Sequence, residues 1–325
     1  MEKIIAQRTE EVLLKKEKTE RLLANILPER TVKELKDKGK ATSMRFSMVT
    51  VLFSDIQGFT KIAELMNPDM LVDELDKFFL QFDTIVDRYN IEKIKTIGDA
   101  YMCAGGIPDK NRTNPIEVVL AALEMQYFIQ EMQMKAGQAG TSYWGLRIGV
   151  HTGPVVAGVI GSKKFTYDIW GDTVNIASRM ESSGEVNKVN ISEDTYLLIN
   201  EYFDCEYRGR MPVKYKGEID MYFVKGLKAH LCDDSFNIVP NKKMKNIMAL
   251  LRFDDIEEYM LDRLEHELPK NLYYHNVKHT IDVVVHSEVL AIEEGISEEE
   301  LLLLKTAALF HDSGFMVGYH DHELL

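Results

Sequence analysis

Apolar positions recur at different spacings along the chain, and each spacing marks a different region. In residues 1–27, which contain no Gly or Pro, Ile5, Val12, Thr19 and Ile26 stand seven apart among Lys, Glu and Leu residues. That spacing predicts a helix, either solvated or with a seam for a partner, that ends or kinks at Pro28. From Phe46 the pattern changes. SMVTVLF is a β-branched apolar run suited to a buried strand, DIQG is a turn, and Ile62, Leu65, Leu71, Leu75, Phe78, Phe79, Phe82 and Val86 follow a helical period. IEKIKTI and AYMCAGG read as short strands joined by a GD hairpin, and a second helix is predicted from about Pro115 to Met134. LRIGVHTG and PVVAGVIG are predicted as two strands around a Gly-Pro turn, a further helix opens near Asp172, and KVNIS and MYFV read as later strands.

The order β, α, β, β, α, β predicts an α+β domain of ferredoxin-like type, with helices on one face of a mostly antiparallel sheet. The resulting division is a helix and connector over residues 1–43, this domain over 44–228, a polar linker over 229–243, and an all-α segment over 244–325.

Composition narrows the function. No stretch among the 325 residues approaches the ~20 apolar positions a membrane helix needs, and no apolar signal region follows Met1. The three cysteines, Cys103, Cys205 and Cys232, are widely spaced, so a reducing cytoplasm is expected. A formal charge of −13 leaves no basic footprint for nucleic acid. An anionic nucleotide would then be held by a local exception.

Two acidic residues are placed to provide one. Asp55 lies where an apolar strand meets DIQGFT, and Asp99 lies in the tight GD turn, so both carboxylates can project from neighbouring strand ends. A sparse oxygen pair of this kind suits Mg²⁺, although either Asp alone also suits a simple turn. Gly58, Phe59 and Thr60 add backbone N–H groups where a helix begins.

Four blocks in order, FSDIQGFT, KIKTIGDAYM, LRIGVHTGPVVAGVIG and YDIWGDTVNIASRM, resemble the successive signatures of class III adenylate and guanylate cyclase catalytic domains. LLANILPERTVKELK resembles the helical connector that precedes them. The resemblance implies that Asp55, Asp99 and the Ile56 carbonyl bind two Mg²⁺ or Mn²⁺ ions, and that the ribose 3′-hydroxyl attacks the α-phosphorus with loss of pyrophosphate. It assigns base reading to Lys95 and Asp168, both of the adenine type. It gives Asn175 the ribose and Arg179 the charge on the α-phosphate, and these two stand four apart on one predicted helix face. Lys216 is the implied phosphate lysine, with Lys214 as rival because Tyr215 stands where a glycine is usual; Lys163 is a further candidate. The metal aspartates of one copy are implied to face the base readers of another, which makes ATP the expected substrate and a homodimer the expected assembly. Seen alone, Lys95, Asp168, Asn175 and Arg179 would each pass for surface or turn residues. The alternatives are a guanylate cyclase and a regulatory pseudo-cyclase.

In the helical segment, YHNVKHT places His275 and His279 four apart, and ALFHDSGF places His311 beside Asp312. These resemble an HD-type phosphohydrolase, which implies His279, His311 and Asp312 as metal ligands, His275 as a proton donor and His322 as a further ligand. That family's later aspartate has no counterpart before Leu325, so a partial HD-like domain is expected. Histidines satisfied by packing are the alternative.

Overall fold

The computed structural model describes residues 15, 16, 18, 19, 23, 26–138, 143–161, 164–213 and 217–318. Most of the expected amino-terminal helix, including Ile5 and Val12, lies outside these residues, as do Lys163, Lys214, Tyr215, Lys216 and His322. The chain forms two compact units, Met1–Lys110 with Asn114–Gly226, and Asn111–Thr113 with Leu227–Leu325.

The first unit begins with α1 (Glu29–Lys38), which stops at Gly39. There a φ of 67° lets the Gly39 N–H close on the Leu35 carbonyl, a left-handed cap that glycine adopts without steric cost. Then follow β1 (Met44–Gln57), α2 (Phe59–Leu65), α3 (Pro68–Arg88), β2 (Glu92–Ile97), β3 (Ala100–Gly105), α4 (Asn114–Gln138), β4 (Gly145–Ile160), β5 (Thr166–Trp170), α5 (Asp172–Ser182), β6 (Lys188–Ser192), α6 (Glu193–Ile199), β7 (Phe203–Val213) and β8 (Gly217–Leu227). The strands form one sheet in the order β2-β3-β1-β4-β6-β8-β7, with β5 also paired to β4. β4 and β6 run parallel, whereas β1 is antiparallel to both β3 and β4. The architecture is α+β with a mixed sheet.

Two expectations are corrected. LRIGVHTG and PVVAGVIG are one strand, β4, which pairs with β1 from Gln57↔Gly145 to Met44↔Ala157. Pro154 has no N–H for the ladder, and β1 accommodates it: the register shifts between Phe46 and Val49, so two β1 residues stand opposite one proline. The helices also cover both faces of the sheet rather than one. On one face the Thr50 hydroxyl donates to Asn114 Oδ1 (2.6 Å) at the start of α4. On the other, α5 lies so close to β4 that a Cβ on Gly149 would sit 1.9 Å from the Glu181 backbone nitrogen. Any other residue at Gly149 would push α5 off the sheet. On the α5 side, Val49, Val51 and Phe53 pack with Leu27, Val32, Tyr167 and Ile169 in one apolar cluster.

The second unit contains α7 (Lys242–Glu267), α8 (Val277–Glu294) and α9 (Glu298–Phe310), with a core of Phe253, Met260, Leu264, Val284, Ala308 and Leu309. α9 opens with a reciprocal cap between Ser297 and Glu300. Among the described residues, no helix is long and apolar enough to cross a membrane.

Candidate functional site

Asp55 stands near the end of β1, directly opposite Arg147 on β4. Arg147 Nη2 donates to Asp55 Oδ2 at 2.7 Å. Asp99 follows Gly98 (φ 65°) in the hairpin between β2 and β3, which sets its carboxyl group beside the Asp55 side chain and the Ile56 backbone. Burial raises the Asp99 carboxyl above its ordinary range, and the neighbouring Asp55 charge raises it further. Neighbouring carboxyl groups resist joint ionisation unless positive charge is brought between them. The donor set is all oxygen, which fits Mg²⁺ or Mn²⁺ and not a soft metal.

Gly58, at φ 73°, turns the chain from β1 into α2, with Gly58 and Thr60 exposed and Phe59 half-buried. The cradle expected from the sequence therefore lies three residues beyond Asp55, at a place open to a ligand.

Lys95 on β2 and Asp168 on β5 form an ion pair within the chain. Asp168 Oδ1 also accepts from the Ile169 N–H at 2.9 Å. The alternation of β5 explains its aim: Tyr167 and Ile169 are buried in the apolar cluster, so Asp168 between them faces the other way. Asn175 and Arg179 lie on the exposed side of α5, while Thr173, Ala177, Met180 and Glu181 are buried. The structure thus brings Asp55, Ile56 and Asp99 together and joins Lys95 to Asp168, but it directs Asn175 and Arg179 to solvent.

Sequence reasoning missed Arg147 and Glu181. Glu181 Oε1 lies 3.0 Å from the same Arg147 Nη2 that holds Asp55. Burial pushes the Glu181 carboxyl up to about 7; Arg147 opposes this rise, while the Asp55 and Asp99 charges add to it. The available signals were an arginine interrupting the apolar run of β4, and a glutamate four residues after the buried Ala177 and hence on the same helix face.

In the second unit, ligand atoms of His275, His279 and Asp312 lie within 4.8 Å of one another. Asp312 is 3% exposed, and its Oδ2 is 2.9 Å from His275 Nδ1, 3.7 Å from His279 Nε2 and 3.2 Å from His311 Nε2. His275, expected as a proton donor, is the histidine nearest that carboxylate.

The profile of the adenylate and guanylate cyclase catalytic domain matches residues 41–226. The chain belongs to this family. Human guanylyl cyclase C is 36% identical over 254 residues, which cover 77% of this chain and 23% of that protein. Rat retinal guanylyl cyclase 2 is 38% identical over 70% of this chain and 21% of its own length, so the chain spans about a fifth of the curated relatives it matches. Among solved structures, the guanylate cyclase domain of RhGC from Catenaria anguillulae, in complex with GTP, has a TM-score of 0.54 at 35% identity, covering 57% of this chain and 100% of that one. The adenylyl cyclase CyaB from P. aeruginosa has a TM-score of 0.55 at 28% identity, covering 58% and 98%. Apart from Asn111–Thr113, the residues that the family profile matches lie in the first unit, and the match stops before α7.

Proposed function

We propose that the cyclase unit converts ATP, in preference to GTP, into 3′,5′-cyclic AMP and pyrophosphate at a site completed by a second copy of the chain. The observation that carries the base preference is the Lys95–Asp168 pair. Lysine can only donate and an ionised aspartate can only accept. Adenine offers an acceptor at N1 and an amino donor at N6, whereas guanine presents an N1–H donor and an O6 acceptor. Guanine would set donor against donor and acceptor against acceptor. The relatives named as guanylyl cyclases weigh toward GTP; the chemistry of these two side chains weighs toward ATP.

Asp55, Asp99 and the Ile56 carbonyl would hold two divalent cations, Mg²⁺ or Mn²⁺, whose charge acidifies the ribose 3′-hydroxyl and neutralises the triphosphate. Gly58, Phe59 and Thr60 offer backbone N–H groups to the phosphates, and Lys216 adds a cation to them. The 3′-hydroxyl gives its proton to solvent, and its oxygen bonds to the α-phosphorus while the bond to the leaving pyrophosphate breaks. Arg179 steadies the charge that gathers on the α-phosphate, and Asn175 fixes the ribose.

A second copy is needed because of the helix geometry. Residues two apart on a helix point about 200° from one another. With Glu181 turned to Arg147 beside Asp55, Arg179 faces away from the carboxylates of its own chain. A symmetric pair of chains would present each copy's Arg179, Asn175, Lys95 and Asp168 to the other's Asp55 and Asp99. Pairing through the amino-terminal helix is part of this reading. So is a reducing cytoplasm, which fits three cysteines none of which is in a disulfide.

The test is product identification. Purified protein given ATP or GTP with Mg²⁺ or Mn²⁺ is expected to release cyclic AMP and pyrophosphate, with ATP favoured in kcat/KM. Cyclic GMP as the dominant product would transfer the assignment to the guanylate type.

A second reading concerns the helical unit. The His275, His279, His311 and Asp312 cluster supports a transition-metal site of the kind used in phosphoester hydrolysis, as the HD resemblance implies. Full-length protein equilibrated with Mn²⁺ or Fe²⁺ and desalted should retain a metal equivalent that His279→Ala loses. No retained metal in the parent protein would leave a packing role for these histidines.

A further inference from the structure

One nitrogen, Arg147 Nη2, serves two carboxylates unequally. It donates to Asp55 at 2.7 Å and lies 3.0 Å from Glu181 Oε1, yet Glu181 Oε1 is buried without a hydrogen-bond partner. Arg147 Nε is likewise buried and unpartnered. A buried donor and a buried acceptor left open beside each other are costly, and few native sites keep them without a reason. Together they would complete a two-bond guanidinium–carboxylate pair, the strongest geometry available to these groups. Asp55 holds the arginine away from that arrangement.

We infer that Arg147 is an exchangeable counter-ion: it occupies Asp55 until a divalent cation arrives and is then passed to Glu181, which makes both residues positioning residues for the metal site. This rests on the reading above that Asp55 binds cations. A divalent cation at Asp55 sets a second positive charge beside the guanidinium that Asp55 Oδ2 now holds, so metal entry repels Arg147 and loosens its hold on that carboxylate. Without an acceptor, the displaced charge would be half-buried and unpaired. Glu181 is built to receive it. Its backbone rests on β4 because Gly149 has no side chain, so the carboxylate is fixed beside Arg147 and need not be recruited.

The test is Mn²⁺ affinity measured by calorimetry without nucleotide, on the full chain carrying Asp312→Ala so that the histidine cluster does not contribute. Glu181→Gln is expected to weaken binding roughly tenfold while Arg147 is present and less than about twofold in an Arg147→Gln background, a coupling typical of contacting charged groups. Arg147→Gln alone should tighten binding, and Glu181→Asp should recover part of the loss. An equal loss in both backgrounds, or no loss in either, overturns the exchange. If Arg147→Gln does not fold, Arg147→Lys replaces it: one ammonium cannot make the two-bond pair, so the Glu181→Gln effect should again shrink, and an undiminished effect overturns the proposal. Asp55→Asn separates the two levels. If it leaves Mn²⁺ binding intact, the cation site itself is misplaced, whatever Arg147 does.

Discussion

Replacing Asp55 or Asp99 with asparagine is expected to lower cyclic-nucleotide formation by about 10³-fold or more, because the lost cations would supply several kcal/mol of charge stabilisation in the transition state. The two variants should differ in stability although they agree in activity. Asp99 is held above its ordinary range by burial and by Asp55, so neutralising it relieves crowding, and the thermal midpoint of the metal-free protein should hold or rise. Asp55→Asn relieves the same crowding but gives up the Asp55–Arg147 ion pair, so its midpoint should lie below that of Asp99→Asn. Turnover at saturating Mn²⁺, read beside thermal melts, checks both. Either variant retaining more than a tenth of the parent rate would remove the carboxylate pair from the mechanism.

The second large effect concerns the base. Lys95→Glu combined with Asp168→Cys is expected to shift the ratio of kcat/KM for ATP over GTP by about 10²-fold or more toward GTP. The full discrimination of a site that pairs with its substrate is on the order of 10⁴-fold, and two changes on an otherwise unaltered scaffold should recover part of it. The changes must be made together. Lys95→Glu alone would set a second carboxylate against Asp168, and Asp168→Cys alone would strand the lysine without its partner. Parallel assays with both triphosphates read the ratio directly. Selectivity for ATP that survives the double change would mean the base is recognised by other residues.

Much of the candidate site was legible because it is written in local grammar. Asp55 could be located from an apolar run ending in a turn, Asp99 from a two-residue hairpin, and the shared face of Asn175 and Arg179 from their spacing of four. What escaped depends on partners distant in sequence. Pro154 reads as a break in β4 until it is known that β1, about a hundred residues earlier, shifts register opposite it. The two-sided burial of the sheet was hinted at by the successive apolar residues Val51, Leu52 and Phe53, since a strand with one wet face would alternate. Arg147 and Glu181 meet through the Gly149 contact between β4 and α5, which no single segment reveals. Lys95 and Asp168 stood together only through family resemblance; their ion pair now gives the pairing a geometric basis.

The central claim is that two chains contribute complementary halves to one site, and mixing crippled chains tests it most directly. Asp55→Ala and Arg179→Ala proteins, each inactive alone, are to be combined in equal amounts, allowed to exchange subunits, and assayed for cyclic AMP. Random pairing makes half the dimers mixed, each with one intact site of two, so about a quarter of the parent activity should return. A mixture as inactive as its components, with exchange verified, would contradict the shared site.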